Sequence, residues 1–230
     1  MKVGVLYTGG KDSTFATWRV MQQGREIACL IILLPEDSYS YMYHTANMSW
    51  VQKLHPKALG VPAICQKTKS GKENEFNALK KALQAAIKKY NIQGVVSGAN
   101  ASEYQQYKLE ALCADLGLRS IAPLWHVDPE TYLTEIINSN FELIFTSVST
   151  EGMGDAWLGR KLDNAALNDL HALYSKFGIN INGEGGEYET MVLDGPLFKS
   201  KIEILDAEKV WFGDHGVYKI KDAKLIKKSK

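Results

Sequence analysis

The first 125 residues alternate short apolar runs with stretches of helical spacing, and this rhythm constrains the fold more than any other feature. Residues 3–7, 27–34 and 94–98 have the length and composition of buried strands. Residues 76–90 and 109–116 place apolar side chains three and four positions apart, as on one face of a helix. Alternating strands and helices predict a parallel sheet covered on both faces, a doubly wound α/β domain.

The rest of the chain follows a different pattern. Asp128-Pro129 is a favourable start for a helix, and a strand and a second helix are predicted at residues 141–148 and 162–177. Four short strand-like runs follow, at residues 190–193, 201–205, 209–212 and 217–220. We therefore predict a smaller α+β domain ending in antiparallel strands, with domains at residues 1–126 and 127–230.

Charge and composition exclude several classes of protein. A formal net charge of +1 provides no basic surface for a nucleic acid. The three cysteines are spaced too widely for a zinc knuckle or a redox pair. The apolar run at residues 27–34 is too short to span a bilayer, and the N-terminal segment lacks a signal-peptide pattern. We expect a cytoplasmic protein that binds neither nucleic acid nor membrane.

The sharpest local motif lies between the first predicted strand and the first predicted helix. It consists of Thr8, Gly9, Gly10, Lys11, Asp12 and Ser13. A helix N-terminus offers N–H groups and a positive dipole end to a phosphate, and glycines let the backbone approach it closely. Lys11 adds a positive charge, and Thr8 and Ser13 add hydroxyl donors. The motif predicts a phosphate-binding loop, although a tight turn without function is the alternative.

The two common phosphate motifs do not fit this loop. A Walker A loop ending at Gly10-Lys11 requires glycine at position 5 and a hydroxyl residue at position 12, where the chain has Val5 and Asp12. A dinucleotide fingerprint fails because Gly9 is followed directly by Gly10. The pattern instead resembles the PP-loop of the N-type ATP pyrophosphatases. That resemblance implies a loop that holds the pyrophosphate released from ATP.

Asp12 and Gly98 extend this prediction. A carboxylate next to a polyphosphate requires a cation, so Asp12 is the predicted ligand of Mg²⁺, and ATP and Mg²⁺ are the expected cofactors. Lys11 and Asp12 are also expected to act in catalysis. Gly98 ends a predicted strand, and ligands of doubly wound sheets bind at such ends, so Gly98 is expected at the nucleotide.

A second motif, at residues 183–190, contains three glutamates and three glycines in eight positions. If residues 187–190 are extended, Glu187 and Glu189 share one face, and Tyr188 and Thr190 share the other. Strands rarely begin with such a density of charge, which favours a functional segment over an ordinary acidic surface loop.

Together with residues 191–198, this segment resembles the C-terminal signature of the diphthine–ammonia ligases. Residues 38–45 are similar to that family's S-Y-M-[FY]-x-T segment, and residues 97–125 are similar to the segment after its fourth strand. Lys108 stands where the family's Y-Q-x-x-R pattern has arginine, so the charge is retained and the bidentate fork is lost. The resemblance covers residues 4 to 198, nearly the whole chain.

The resemblance implies ATP-dependent amidation of diphthine, a modified histidine of elongation factor 2, with ammonium. The products are diphthamide, AMP and pyrophosphate, formed through an acyl adenylate. Because the two domains use the whole sequence, free ammonium is the expected nitrogen source. Residues 1–126 are expected to bind ATP, and residues 127–230 to bind the protein substrate and close over the nucleotide. No oligomeric state follows from the sequence.

The carboxylates and aromatic residues of these segments are the remaining predicted site residues. Glu184, Glu187 and Glu189 are predicted to be catalytic, by orienting ammonium, accepting its proton or facing the trimethylammonium group of diphthine. The sequence does not choose among these roles. Aromatic faces bind quaternary ammonium groups, so Tyr39, Tyr41, Tyr43 and Tyr188 are predicted to bind the substrate. Thr190, on the same predicted face as Tyr188, is predicted to bind it as well. A buried aromatic strand is the alternative for the first three tyrosines.

Two other functions remain open from the sequence. One is another PP-loop ATP pyrophosphatase, such as a tRNA-modifying enzyme, although the paired cysteines and basic surface of thiolating members are missing. The other is a non-catalytic nucleotide-binding module, against which the retention of Lys11, Asp12 and Ser13 argues.

Overall fold

The computed structural model describes residues 1–36, 47–100 and 103–228. The chain divides into two compact units, Met1–His126 and Val127–Lys230. Within the described residues, no helix combines the length and the apolar character needed to cross a membrane.

The first unit is a five-stranded sheet, parallel at every pairing, in the order β3-β2-β1-β4-β5. This is the predicted doubly wound α/β architecture. Its elements are β1 (Lys2–Leu6), α1 (Lys11–Gln22), β2 (Glu26–Pro35), α2 (Met48–Leu59), β3 (Ala63–Thr68), α3 (Lys72–Tyr90), β4 (Gly94–Val96), α4 (Glu103–Asp115) and β5 (Arg119–Ile121).

The composition of β2 follows from helices on both sides of the sheet. Cys29, Ile31 and Leu33 form a buried cluster with apolar side chains of α3 and α4. The alternating residues Leu30 and Ile32 are equally buried, and strand alternation directs them to the opposite face, on the side of α1 and α2. A strand covered on both faces is a continuous apolar run, which is how the sequence presents it.

The strand order reverses between β1 and β4, which are neighbours in the sheet although five elements of the chain, α1 to α3, separate them. At such a switch point, the connections after the two strands leave in opposite directions and open a crevice at their carboxyl ends. The predicted phosphate loop follows β1, and Gly98 follows β4. Both therefore lie at the edge of the sheet where this fold binds ligands.

The second unit is a four-stranded antiparallel sheet in the order β7-β6-β9-β8, accompanied by helices, as predicted for an α+β domain. Its elements are α5 (Pro129–Asn138), β6 (Glu142–Val148), a short 3-10 helix (Asp155–Trp157), α6 (Asn164–Phe177), β7 (Tyr188–Asp194), β8 (Ser200–Trp211) and β9 (Gly216–Lys227). Asp128 caps α5 by accepting a hydrogen bond from the backbone N–H of Thr131 at 2.9 Å.

Three elements differ from the sequence prediction. The runs at residues 201–205 and 209–211 belong to one continuous strand, β8. The polar residues between them stay in the strand, and the register with β9 shifts around Asp206. Helix α2 and strand β5 were not predicted. Pro56 in the last turn of α2 interrupts its helical signal, and β5 has only three residues.

Candidate active site

The loop between β1 and α1 is organised by its own hydroxyl groups. The backbone N–H of Thr8 donates to Ser13 Oγ at 3.2 Å, and Ser13 Oγ lies 3.3 Å from the carbonyl of Gly10, to which it donates. Gly10 is the N-cap of α1 and has no side chain to occupy the helix end. The N–H groups of a helix N-terminus project into such a loop, which gives it the character of an anion site.

Gly9 has a structural reason to be glycine. Its φ is +76°, and a Cβ atom there would lie 2.7 Å from Val51 Cγ2 and 3.2 Å from His55 Cε1. Any side chain at position 9 would therefore collide with α2, on which the loop rests. Neither Val51 nor His55 was singled out from the sequence, because the contact joins residues more than 40 positions apart.

A buried chain of hydrogen bonds lies beneath the loop. Thr14 Oγ1 donates to Tyr7 Oη at 3.0 Å, and Tyr7 Oη lies 2.8 Å from His55 Nδ1. Because Tyr7 accepts from Thr14, its own proton is available for His55 Nδ1, which leaves the imidazole proton on Nε2. Burial lowers the pKa of His55 to about 3 and raises that of Tyr7, so all three groups are neutral near pH 7.

Gly98 brings the connection after β4 against the phosphate loop. A Cβ atom at Gly98 would lie 2.7 Å from the backbone carbon of Asp12 and 2.7 Å from the backbone nitrogen of Ser13. Ser97 and Asn100, on either side, are buried. Within the described structure, Ser97 Oγ and Asn100 Nδ2 have no hydrogen-bond partner. Buried polar atoms without partners are costly, so two such atoms beside a phosphate loop suit a polar ligand.

Lys11 and Asp12 form an ion pair at the start of α1. Lys11 Nζ lies 2.9 Å from both carboxylate oxygens of Asp12, and Lys11 is only 4% exposed. Within residues 1–36, 47–100 and 103–228, no three or more His, Cys, Asp or Glu residues form a metal-binding group. Mg²⁺ in nucleotide sites commonly uses one or two carboxylates together with phosphate oxygens, so Asp12 alone is a suitable protein ligand.

The acidic segment at residues 183–190 forms a compact turn over residues 183–187 and then continues into β7. Glu187 Oε1 accepts a hydrogen bond from the backbone N–H of Asn180 at 2.8 Å, and Asn182 Oδ1 accepts one from that of Glu184 at 3.3 Å. Glu187 Oε2 and Glu189 Oε2 are buried and have no hydrogen-bond partner among the described atoms. The segment thus holds two buried carboxylate oxygens, one from Glu187 just before β7 and one from Glu189 within it, that suit a cation.

Tyr188 and Thr190 occupy the other face of β7. Tyr188 is 4% exposed, its hydroxyl donates to the carbonyl of Ile181 at 2.7 Å, and its ring packs edge-on against Phe145. Thr190 is equally buried. Both side chains therefore contribute to the packing of β7, and their predicted role in substrate binding stays a prediction. Tyr39, Tyr41 and Tyr43 lie outside the described residues.

Comparisons with known proteins agree over nearly the whole chain. The family model described as the diphthamide synthase N-terminal domain matches residues 1–120, and that of the C-terminal domain matches residues 128–226. A Danio rerio protein named diphthine–ammonia ligase is 36% identical over 93% of this chain and 90% of its own length. Proteins of that name from Rattus norvegicus and Homo sapiens are 35% and 33% identical, each over 91% of this chain and 85% of the relative.

Among solved structures, a protein from Methanocaldococcus jannaschii described as a predicted subunit of tRNA methyltransferase aligns with a TM-score of 0.39 and 13% identity, over 85% of this chain and 99% of that one. A likeness at this level carries no argument. The two family models and the relatives at more than 30% identity are sufficient: the chain belongs to the diphthine–ammonia ligase family.

Proposed function

We propose that this chain activates the carboxylate of diphthine on elongation factor 2 with ATP and converts it to the amide with ammonium. The observation that carries the proposal is the phosphate loop at the switch point of the sheet, shaped from both sides by contacts that only glycine permits, at Gly9 and Gly98. Membership of the diphthine–ammonia ligase family favours this reaction over tRNA modification and over a non-catalytic nucleotide-binding role.

The loop residues would hold the triphosphate of ATP. Gly9 and Gly10 allow the backbone to approach the phosphates, and the hydroxyls of Thr8 and Ser13 and the ammonium of Lys11 donate to them. Mg²⁺, when bound at Asp12, would supply charge neutralisation for the phosphates. The buried polar atoms of Ser97 and Asn100 are available to the same ligand.

The chemistry requires activation because a carboxylate has only oxide as a leaving group. One carboxylate oxygen of diphthine forms a bond to the α-phosphorus of ATP, and the bond from that phosphorus to pyrophosphate breaks. The resulting acyl adenylate has AMP as its leaving group. Ammonia then attacks the acyl carbon, the bond to AMP breaks, and the nitrogen loses a proton to give the amide.

Glu187 and Glu189 would serve the cations of this reaction. Their buried oxygens are expensive to leave unpaired, and both ammonium and the trimethylammonium group of diphthine carry the complementary charge. Glu184, in the same segment, is the third candidate. A carboxylate beside ammonium would also be placed to accept the proton released when the amide forms.

The decisive experiment is reconstitution. Purified protein is mixed with diphthine-bearing elongation factor 2, ATP, Mg²⁺ and ammonium, and the modified peptide is weighed by mass spectrometry while nucleotides are separated. We expect the amide, AMP and pyrophosphate. Formation of ADP and phosphate would overturn the PP-loop assignment, and failure to form amide with fully modified factor would overturn the substrate. Lys11→Ala serves as the inactive control.

A further inference from the structure

The end of the second sheet that carries the acidic segment also carries a loop and a hairpin tip. Val148, at the end of β6, pairs with Tyr188 at the start of β7 and with Gly216 at the start of β9, and Gly216 pairs with Trp211 at the end of β8. The acidic segment, the loop at residues 149–154 and the hairpin tip at residues 211–216 are therefore adjacent. Ser149 joins the first two, because its backbone N–H donates to the carbonyl of Glu187 at 2.9 Å.

The hairpin tip exposes two large aromatic side chains in fixed positions. Trp211 is 45% exposed and Phe212 is 56% exposed. Trp211 Nε1 donates to the carbonyl of Gly213 at 2.8 Å, and the indole lies so close over Gly216 that a Cβ atom there would be 2.4 Å from the ring. Phe212 stacks on His215 with ring centroids 5.2 Å apart. Rings held in this way lose little conformational freedom when a partner covers them.

A cleft of about 590 Å³ separates the hairpin tip from the loop at residues 149–154. Trp211 and Met153 give it apolar walls, and Glu151 and Asp214 give it negative charge. The loop rests firmly on α6, since Gly152 lies close against Leu173 and would clash with it if it carried a Cβ atom. An aromatic wall with nearby carboxylates suits the long side chain of lysine or arginine.

We propose that this cleft and the aromatic hairpin tip form the docking surface for the polypeptide of the protein substrate, and that they receive a basic segment next to the modified residue. The inference rests on the proposed function. Three strand spacings of about 4.8 Å separate β7 from β8, or about 14 Å in all. About four extended residues cover that distance. A substrate group at the acidic segment thus places its flanking chain within reach of Trp211.

The test compares the double variant Trp211→Ala/Phe212→Ser with the wild type. Truncating two aromatic anchors of an interface is expected to raise KM for diphthine-bearing elongation factor 2 by about thirtyfold or more. The KM values for ATP and ammonium and kcat at saturating factor are expected to stay unchanged, measured at a temperature at which the variant is fully folded. Glu151→Lys is expected to raise the same KM, because it reverses the charge offered to a basic segment.

Leu205→Ser is the matched control, since Leu205 is 49% exposed on the same strand. It lies about 20 Å from Trp211 along β8 and is expected to behave as wild type. If the double variant keeps the wild-type KM for the factor, the docking surface is wrong and the reaction stands. If the wild type forms no amide, the affinity of each protein for the factor is measured directly. Weaker binding by the double variant than by the wild type and Leu205→Ser supports the docking surface, and equal binding by all three overturns it. A dimer of this chain that the double variant abolishes would also overturn it.

Discussion

Replacing Gly98 by alanine tests whether the connection after β4 shapes the phosphate loop. The added Cβ would lie 2.7 Å from backbone atoms of both Asp12 and Ser13, whereas ordinary contacts begin near 3.4 Å. The two backbones must therefore separate by about 0.7 Å, the difference between these two values. Backbone atoms cannot rotate away as a flexible side chain can, and Gly98 lacks the positive φ that would itself strain alanine.

The size of the effect follows from this displacement. Forcing one extra methyl group into a packed contact costs about 1–3 kcal/mol of folding free energy. A misplacement of about 1 Å in groups that position a reacting substrate costs on the order of a hundredfold in rate. We expect Gly98→Ala to lose about 1–3 kcal/mol of unfolding free energy and roughly ten- to a hundredfold in pyrophosphate release.

The assay pairs chemical denaturation with pyrophosphate release and calorimetric titration of ATP. Gly154→Ala is the control, because a Cβ there meets nothing within 4 Å and the backbone has no positive φ. It should match the wild type in stability and in ATP affinity. If Gly98→Ala also binds ATP and releases pyrophosphate at the wild-type rate, the contact does not shape the loop and the reasoning fails.

Three further predictions concern the same unit. Asp12→Asn should lower turnover by about a hundredfold under conditions in which the variant is fully folded, as expected for a Mg²⁺ ligand; turnover close to wild type would remove that role. Tyr7→Phe should lower the unfolding free energy by about 1–3 kcal/mol, because it leaves Thr14 and His55 without their shared partner; unchanged urea denaturation would contradict this. Folding lowers the pKa of His55 from 6.5 to about 3. Between these two pH values, His55 is protonated in the unfolded chain and neutral in the native protein. Wild type should therefore lose about 1.4 kcal/mol of stability per pH unit on acidification below 6.5, beyond any loss in His55→Asn; parallel curves for the two proteins would refute it.

The sequence predicts the fold and the phosphate loop because their signals are local. A strand, two glycines and a helix start occupy consecutive positions from Val3 to Ser13, so their connection in space follows from their connection in the chain. The contacts that hold the loop in place join residues far apart in the sequence. His55 reaches Tyr7 across 48 positions of sequence, and no spacing pattern encodes such a contact.

The two faces of the acidic segment illustrate a second limit. Alternation predicts that Glu187 and Glu189 lie opposite Tyr188 and Thr190, but it does not say which face packs inward. In the structure Tyr188 packs against Phe145 in the core, so the face that carries Tyr188 points inward. Likewise, Trp211 and Phe212 appear in the sequence as the end of an ordinary strand, and only the structure reveals that they are exposed beside the acidic segment.

The neutral chain of Thr14, Tyr7 and His55 has a consequence for kinetics. A phosphate site supported by an ionisable histidine would change its affinity for ATP as that histidine gained or lost charge. Here the histidine pKa lies near 3 and that of the tyrosine is raised, so the support beneath the loop keeps one charge state throughout the range in which the protein is assayed. The pH–rate profile is therefore expected to report the protonation of ammonia, undistorted by the residues on which the phosphate loop rests.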